Sequence, residues 1–162
     1  MEFTASVCRL THNFLKTYPE KKYPELMCKA GRPYSCLLLD THDNYFICIP
    51  FRSHIRHKNA YLFHGTERSK RSESGLDYTK IVLIAKGKYK EYMAAERVVV
   101  DQDEYKEVRL NLIKIAEEAS DYVEKYLAHV TGEKPMHPRQ FLRKYQYSTL
   151  RYFHEVMGIE EK

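Results

Sequence analysis

The chain has 162 residues, 43% of them hydrophobic, and carries a net charge of +5. A chain of this length can bury a sizeable core, so we expect one domain over residues 1–162. No apolar run approaches the roughly 20 residues that span a bilayer, and the first residues lack the pattern of a secretory signal. These features predict a cytoplasmic protein without a membrane partner rather than an integral membrane protein.

The first part of the sequence has the alternating pattern of β-strands. Apolar residues alternate with polar ones over residues 3–10, which predicts a first strand. Strands over residues 34–39 and 45–50 flank the turn-forming sequence THDN and predict a hairpin whose second strand ends at Pro50. Together with a short strand over residues 60–63, these segments predict a small antiparallel sheet.

A polar segment follows, and then further strands. Residues 65–75, with the sequence GTERSKRSESG, are charged and bounded by glycines, so we predict a mobile loop there. Residues 76–84, LDYTKIVLI, predict one continuous strand with a buried apolar end. Residues 97–100, RVVV, are a candidate for the last strand of the sheet.

The remainder of the sequence follows the helical period. Apolar residues spaced by three and four over residues 103–130 predict one long helix with a single buried face. Gly132 lies just past its end, where helices commonly stop, and Pro138 opens a second helical stretch. Strands first and helices afterwards predict an α+β fold, in which a compact twisted antiparallel sheet or small barrel is flanked by α-helices.

Residues 52–58, RSHIRHK, directly follow a predicted strand and combine three kinds of reactive side chain. Metal-independent RNA cleavage needs a base for the 2′-hydroxyl, a group that neutralises charge on the phosphate, and an acid for the departing oxygen. Imidazoles suit the proton steps, while guanidinium and hydroxyl groups bind phosphate oxygens. The alternatives are a solvated basic turn and a metal pair at the two histidines. We predict a catalytic site without metal or cofactor, formed by Arg52, Ser53, His54 and His57.

Further basic and aromatic residues are candidates for RNA contact. They lie beside the catalytic candidates, at the start of two strands, and in the C-terminal helical stretch, where residues 136–154 include no acidic residue. Basic side chains interleaved with flat rings suit single-stranded or irregular RNA. For each group, ordinary packing or solvated surface charge is the alternative. The predicted RNA-binding residues are Arg32, Tyr34, Arg56, Lys58, Tyr78, Lys80, Arg139, Arg143 and Lys144.

Two segments of the sequence resemble the toxins of type III toxin–antitoxin systems, the ToxN/AbiQ superfamily. They are RPYSCLLLDTHDNYFICIPFRSHIRHKNAYLFH and SGLDYTKIVLI, which together cover residues 32–84 well. Within that superfamily they are most similar to the CptN and TenpN branch, through the signatures IPFRSHI-x-HK-x-AY and GLDYTKIV. The helical C-terminal half agrees with this group in kind and in length.

The resemblance can be carried over position by position. Ser53 matches the serine of the family's post-strand loop, whereas Arg52 replaces its threonine and Ile55 replaces its lysine. Arg32 matches a basic position before the second strand, and Lys80 matches one in the later strand. Because the loop lysine is replaced, charge and proton chemistry would come from Arg52, His54, Arg56 or His57.

The resemblance also implies an activity and partners. Members are metal-independent, sequence-specific endoribonucleases on a barrel-like sheet core related to the MazF and Kid toxins, and they leave a 2′,3′-cyclic phosphate. They cleave cellular RNA and their own antitoxin precursor, and act in phage defence. A small repeated pseudoknot RNA inhibits them in a cyclic protein–RNA hetero-oligomer. The alternatives are a non-catalytic RNA-binding module, a MazF-like ribonuclease with a protein antitoxin and a metal-dependent hydrolase.

Overall fold

The computed structural model describes residues 4–27, 34–94 and 100–159, and it confirms the predicted α+β class. Six antiparallel strands form one sheet, and six α-helices surround it in this part of the chain. No helix within these ranges is both long and apolar enough to cross a membrane. The strands are β1 (Thr4–Arg9), β2 (Ser35–Asp40), β3 (Tyr45–Arg52), β4 (Ala60–Leu62), β5 (Gly75–Asp77) and β6 (Val82–Ala85). The helices are α1 (His12–Thr17), α2 (Glu67–Arg71), α3 (Tyr89–Tyr92), α4 (Gln102–Leu110), α5 (Leu112–Val130) and α6 (Pro138–Tyr145).

Strand β3 organises the sheet. One edge of β3 pairs with β2, which confirms the predicted hairpin, and β2 pairs in turn with β1. The other edge pairs first with β6, through residues 45–48, and then with β5, through Phe51 and Arg52. Strand β3 therefore continues past Pro50, and the prediction that it ends there is wrong. Because Arg52 belongs to the strand, its backbone is fixed by the sheet.

The predicted continuous strand over residues 76–84 is also corrected. It consists of β5 and β6, separated by a 3-10 turn over Tyr78–Lys80. Asp77 Oδ1 accepts hydrogen bonds from the backbone N–H and the hydroxyl of Thr79, at 2.9 and 2.6 Å, and such local bonds favour a turn over extended backbone. The interruption lies opposite the part of β3 that contains Pro50, which has no N–H to donate.

Residues 65–75 are ordered rather than a mobile loop. The segment contains α2, and its first turn is closed by a capping box in which Thr66 and Ser69 exchange side-chain and backbone hydrogen bonds, each 3.1 Å long. Thr66 and Ser74 are fully buried. The polar residues that suggested a loop are therefore residues that cap and anchor a short helix.

The predicted helix over residues 103–130 is divided into α4 and α5 at Asn111. The Asn111 side-chain amide donates to the carbonyl of Glu107 at 2.9 Å, a local bond that competes with regular helix geometry. The predicted buried face is confirmed on α5, for example at Ile115 and Ala119. Gly132 has a φ of +79°, as expected for a residue just beyond a helix end.

The C-terminal segment begins its helix at Pro138, as predicted, and then forms a 3-10 turn over Thr149–Phe153. Most of its aromatic rings pack into the core, and the Phe153 side chain is completely buried. Packing therefore explains most of the aromatics in this stretch. The candidate strand over residues 97–100 falls almost entirely on residues 95–99, which lie outside the described ranges.

Candidate active site

The segment that follows β3 lines a cavity of about 350 Å³. The turn between β5 and β6 forms a second wall, and the end of α6 forms a third. Eight of the residues predicted from the sequence line this cavity: Arg52, Ser53, His54, Arg56, His57, Lys80, Arg143 and Lys144. The same cavity is also lined by Glu25, Met27, Ile55, Asn59, Asp77, Thr79 and Tyr147.

The two histidines of the loop have different environments. The His57 Nδ1 atom accepts the backbone N–H of Asn59 at 3.1 Å, so the neutral ring carries its proton on Nε2. That Nε2 lies 3.1 Å from Asp77 Oδ1 and 3.5 Å from the Thr79 hydroxyl. Both ring nitrogens of His57 are therefore engaged, and the ring serves to connect the loop with the turn after β5.

His54 is exposed and makes no hydrogen bond or ion pair with other residues in the described part of the chain. Its φ of +55° places it in the left-handed region, which is costly for a residue with a side chain. Strained backbone of this kind is concentrated at functional sites, where surrounding structure maintains it. Between the two predicted proton-transfer groups, His54 is the one whose ring nitrogens are available to a ligand.

Asp77 is a buried carboxylate beside the basic loop, and the sequence analysis assigned no role to this residue. Burial raises its pKa, but hydrogen bonds from His57 and Thr79 and the nearby charge of Arg52 outweigh burial and lower the pKa overall. Asp77 is therefore ionised at neutral pH. An aspartate side chain often accepts a hydrogen bond from the backbone two residues further on, and this bond closes a turn. The position of Asp77 two residues before Thr79 therefore indicated a turn in the sequence.

Arg52 extends from the end of β3 between Met27 and Asp77. Its Nη1 lies 2.9 Å from Met27 Sδ, and its Nε lies 4.0 Å from Asp77 Oδ2. A thioether is a weak acceptor, and the carboxylate is at the limit of ion-pair distance. The guanidinium is thus oriented by its neighbours while keeping donor capacity for an anion in the cavity.

Ser53 is connected to a partly buried ion pair that the sequence did not reveal. Arg68 Nη1 donates to Ser53 Oγ at 3.4 Å, and the same guanidinium binds Glu104 through Nε at 3.0 Å and through Nη2. Burial raises the pKa of Glu104, and the Arg68 charge partly offsets this effect. The capping residues near Arg68 indicate a helix start in the sequence. No sequence pattern connects Arg68 with Glu104.

Lys80 is buried and already has partners. Its Nζ lies 2.6 Å from Glu25 Oε2 and donates to the carbonyl of Tyr147 at 3.0 Å. The predicted phosphate contact of Lys80 would therefore have to displace Glu25. The ammonium instead joins the N-terminal segment to the C-terminal one at the cavity wall.

The tyrosines at the strand starts also have structural partners. The structure corrects the prediction of RNA contact for Tyr78, because this residue is only 4% exposed and its hydroxyl donates to Glu118 at 2.9 Å. The half-buried Tyr34 donates to the carbonyl of Lys80 at 3.2 Å. Both tyrosines therefore fit the alternative of ordinary packing, and neither lines the cavity. Arg32 lies outside the described residues.

The end of α6 contributes cations and one exposed ring. Arg143 and Lys144 line the cavity together with Tyr147, which is 62% exposed. Burial lowers the pKa of Lys144, and the charges of Lys125 and Lys58 lower it further, although Asp121 acts in the opposite direction. Lys58 and Arg139 are exposed but do not line the cavity, so only part of the predicted basic surface converges there.

The alternative interpretation of the two histidines as metal ligands lacks a third ligand in the described part of the chain. Within residues 4–27, 34–94 and 100–159, no group of three histidine, cysteine, aspartate or glutamate side chains is placed to hold a metal ion. The side chains around the cavity are mainly cationic or neutral donors. Donors of this kind suit an anionic ligand such as a phosphodiester.

No protein family, curated protein or solved structure matches this chain in the comparisons with known proteins. The chain can therefore be described only by its fold and by the chemical groups that line its cavity. It is a small α+β protein in which guanidinium, hydroxyl and imidazole groups line one cleft.

Asp77→Asn is expected to reduce the free energy of unfolding by about 2 kcal/mol at neutral pH, because charged hydrogen bonds are lost. A carboxyl whose pKa is lowered by folding contributes stability above its unfolded pKa and loses it as pH falls through its folded pKa. The difference in unfolding free energy between Asp77→Asn and the unmodified protein should therefore be largest above about pH 5 and shrink toward about pH 3. Urea unfolding across this range measures it.

Asp43→Asn is the matched control for this experiment, because Asp43 is an exposed carboxylate in the turn between β2 and β3. It should change stability by less than about 0.5 kcal/mol at any pH in the range. A constant difference for Asp77→Asn from neutral to acid pH would show that ionisation of Asp77 does not stabilise the fold.

Proposed function

We propose that this chain is a metal-independent, sequence-specific endoribonuclease and the toxin of a type III toxin–antitoxin system. The observation that carries the proposal is the cavity that joins Arg52, Ser53 and His54 with Arg143 and Lys144. These side chains come from two distant parts of the sequence and supply phosphate-binding donors and a proton-transfer group. The resemblance of residues 32–84 to the ToxN/AbiQ superfamily supports the same activity.

The proposed reaction is an intramolecular transesterification of RNA. The His54 ring takes the proton of a 2′-hydroxyl, and the 2′-oxygen attacks the adjacent phosphorus. The bond between phosphorus and the 5′-oxygen of the next nucleotide breaks, and Lys144 donates a proton to that oxygen. Arg52 and Ser53 donate hydrogen bonds to the nonbridging oxygens, where negative charge increases in the transition state. The products are a 2′,3′-cyclic phosphate and a 5′-hydroxyl end.

The assignment of the proton-transfer groups follows from their surroundings. His57 is committed to Asp77 and Asn59, whereas the exposed ring of His54 can approach a 2′-hydroxyl. Lys144 is a cavity cation whose pKa is lowered, chiefly by burial, and an ammonium with a lowered pKa is a better proton donor near neutrality. Arginine side chains keep their protons and are suited to charge stabilisation alone.

The partners of this proposal follow the resemblance. A small repeated antitoxin RNA, folded as a pseudoknot, would occupy the same cavity and block it, and the toxin would process the precursor of that RNA. Protein and RNA would close into a cyclic hetero-oligomer in the cytoplasm. A tandem array of short repeats upstream of the coding sequence, followed by a terminator, is the genomic arrangement that this partner requires.

Incubation of the purified protein with a long RNA tests the activity. We expect discrete fragments with 2′,3′-cyclic phosphate and 5′-hydroxyl ends, formed equally well in EDTA. Retarded RNA without new ends would instead indicate a non-catalytic binding module, and loss of cleavage in EDTA would indicate a metal-dependent hydrolase. Copurification with nuclease-sensitive RNA supports an RNA antitoxin, whereas a copurifying protein favours the MazF-like alternative.

Tyr147→Ala is expected to weaken binding of a single-stranded RNA by about 5- to 150-fold, because one base–ring stacking contact contributes about 1–3 kcal/mol. The exposed ring at the cavity edge is the surface on which a base next to the scissile phosphate would stack. Fluorescence anisotropy with a fully 2′-O-methylated oligonucleotide, which cannot be cleaved, measures this affinity.

Two matched variants accompany this measurement. Tyr147→Phe keeps the flat ring and should bind as the unmodified protein does. Tyr105→Ala removes another exposed tyrosine, on α4, that does not line the cavity, and should also leave affinity unchanged. Equal affinities for Tyr147→Ala and Tyr105→Ala would remove Tyr147 from the binding surface.

A further inference from the structure

We infer that Arg68 is a positioning residue that orients the Ser53 hydroxyl toward the cavity, and that α4 holds Arg68 in place through Glu104. The inference rests on the proposed function, in which Ser53 donates to a phosphate oxygen. Neither Arg68 nor Glu104 lines the cavity, so their effect on the reaction would pass through Ser53.

The Arg68 guanidinium is fixed in two directions. Its Nε and Nη2 atoms form a two-pronged contact with the Glu104 carboxylate, which is completely buried. Such a contact fixes the plane of the guanidinium as well as its position. The remaining nitrogen, Nη1, then points toward Ser53 Oγ, 3.4 Å away.

This arrangement determines what the Ser53 hydroxyl can do. A hydroxyl has one hydrogen to donate and two lone pairs to accept with. Because Arg68 occupies the acceptor side of Ser53, the hydroxyl hydrogen is directed elsewhere, and Ser53 lines the cavity. A nonbridging phosphate oxygen has only lone pairs, so a serine held as a donor is the complementary partner.

Helix α4 anchors the whole segment that carries Arg68. Asp103 accepts the backbone N–H of Glu67 at 2.8 Å, and Glu107 accepts the backbone N–H of His64 at 2.9 Å. With Glu104, these carboxylates hold residues 64–68 at three points along one helix. Arg68 is therefore part of a built contact rather than an isolated surface ion pair, which would contribute little.

A double-mutant cycle on the cleavage rate tests the inference. The variant Arg68→Met with Glu104→Gln removes the pair without leaving a buried unpaired charge, and should lower kcat about tenfold with little change in KM. In a Ser53→Ala background, the same two changes should have no further effect, because Arg68 acts through Ser53. Melting temperatures confirm that each protein is folded.

Arg68→Lys is the second variant, since it keeps a positive charge beside Glu104 but cannot form the two-pronged contact. It should show the same loss of kcat and the same absence of effect in the Ser53→Ala background. Equal losses in the two backgrounds would overturn the inference while leaving ribonuclease activity established. Absence of RNA cleavage by the unmodified protein would instead reject the proposed function.

Discussion

His54→Ala is expected to lower the RNA cleavage rate by about 10²–10⁴-fold and to abolish growth arrest in cells that express the protein. The physical reason is that the exposed His54 ring is the proton acceptor for the 2′-hydroxyl. Because the exposed ring makes no hydrogen bond or ion pair with the other described residues, the melting temperature should not fall. Single-turnover cleavage of a labelled RNA, with a thermal unfolding curve for each protein, measures both quantities.

Two other histidine variants show whether this effect is specific. His64→Ala removes an exposed imidazole that does not line the cavity, so it should leave cleavage unchanged. His57→Ala should lower stability, because Asp77 loses a hydrogen-bond donor 3.1 Å away. If His54→Ala cleaves RNA at the unmodified rate while His57→Ala is folded and inactive, the proton-transfer role belongs to His57.

Gly75→Ala is expected to lower the free energy of unfolding by about 3 kcal/mol or more, because the added atom collides with backbone. A Cβ at this position would lie 1.9 Å from the carbonyl oxygen of Tyr61 and 2.9 Å from the Leu62 Cα. A side chain could rotate away from such a clash, but these backbone atoms belong to the pairing of β4 with β5. Urea unfolding measures the loss.

The substitution should also reduce cleavage, because Gly75 pairs on its other side with Arg52. Gly65→Ala and Gly87→Ala are matched controls, since a Cβ at either position meets nothing within 4 Å. They should change stability by less than about 1 kcal/mol. A Gly75→Ala protein as stable as these controls would mean that β4 and β5 do not approach each other this closely.

The site is located where strands β3 and β5 end. Strand β3 fixes the backbone of Arg52, the last residue of β5 is Asp77, and the capped helix α2 presents Arg68. Groups held by secondary structure and by hydrogen bonds can be positioned more closely than groups on a long free loop. The strained backbone at His54 lies between these anchored neighbours, where the surrounding structure can maintain it.

The amino-acid sequence by itself determined the order of elements, because strand and helix patterns depend on neighbouring residues. It predicted the hairpin of β2 and β3, the buried face of α5 and the start of α6 at Pro138. It also indicated the basic segment at the end of β3, since residues 52–58 are adjacent in the chain. Local errors arose where side chains bond to nearby backbone, as Asp77 and Asn111 do.

The tertiary structure alone decided which side chains meet. It separated His54 from His57 by giving only His57 a carboxylate partner, and it connected Ser53 with Arg68 and Glu104. It also buried Tyr78, although its neighbours in the sequence are polar. These outcomes depend on distances between residues that are far apart in the chain. The packing of the sheet against the helices sets those distances, and the spacing of residues in the sequence does not encode them.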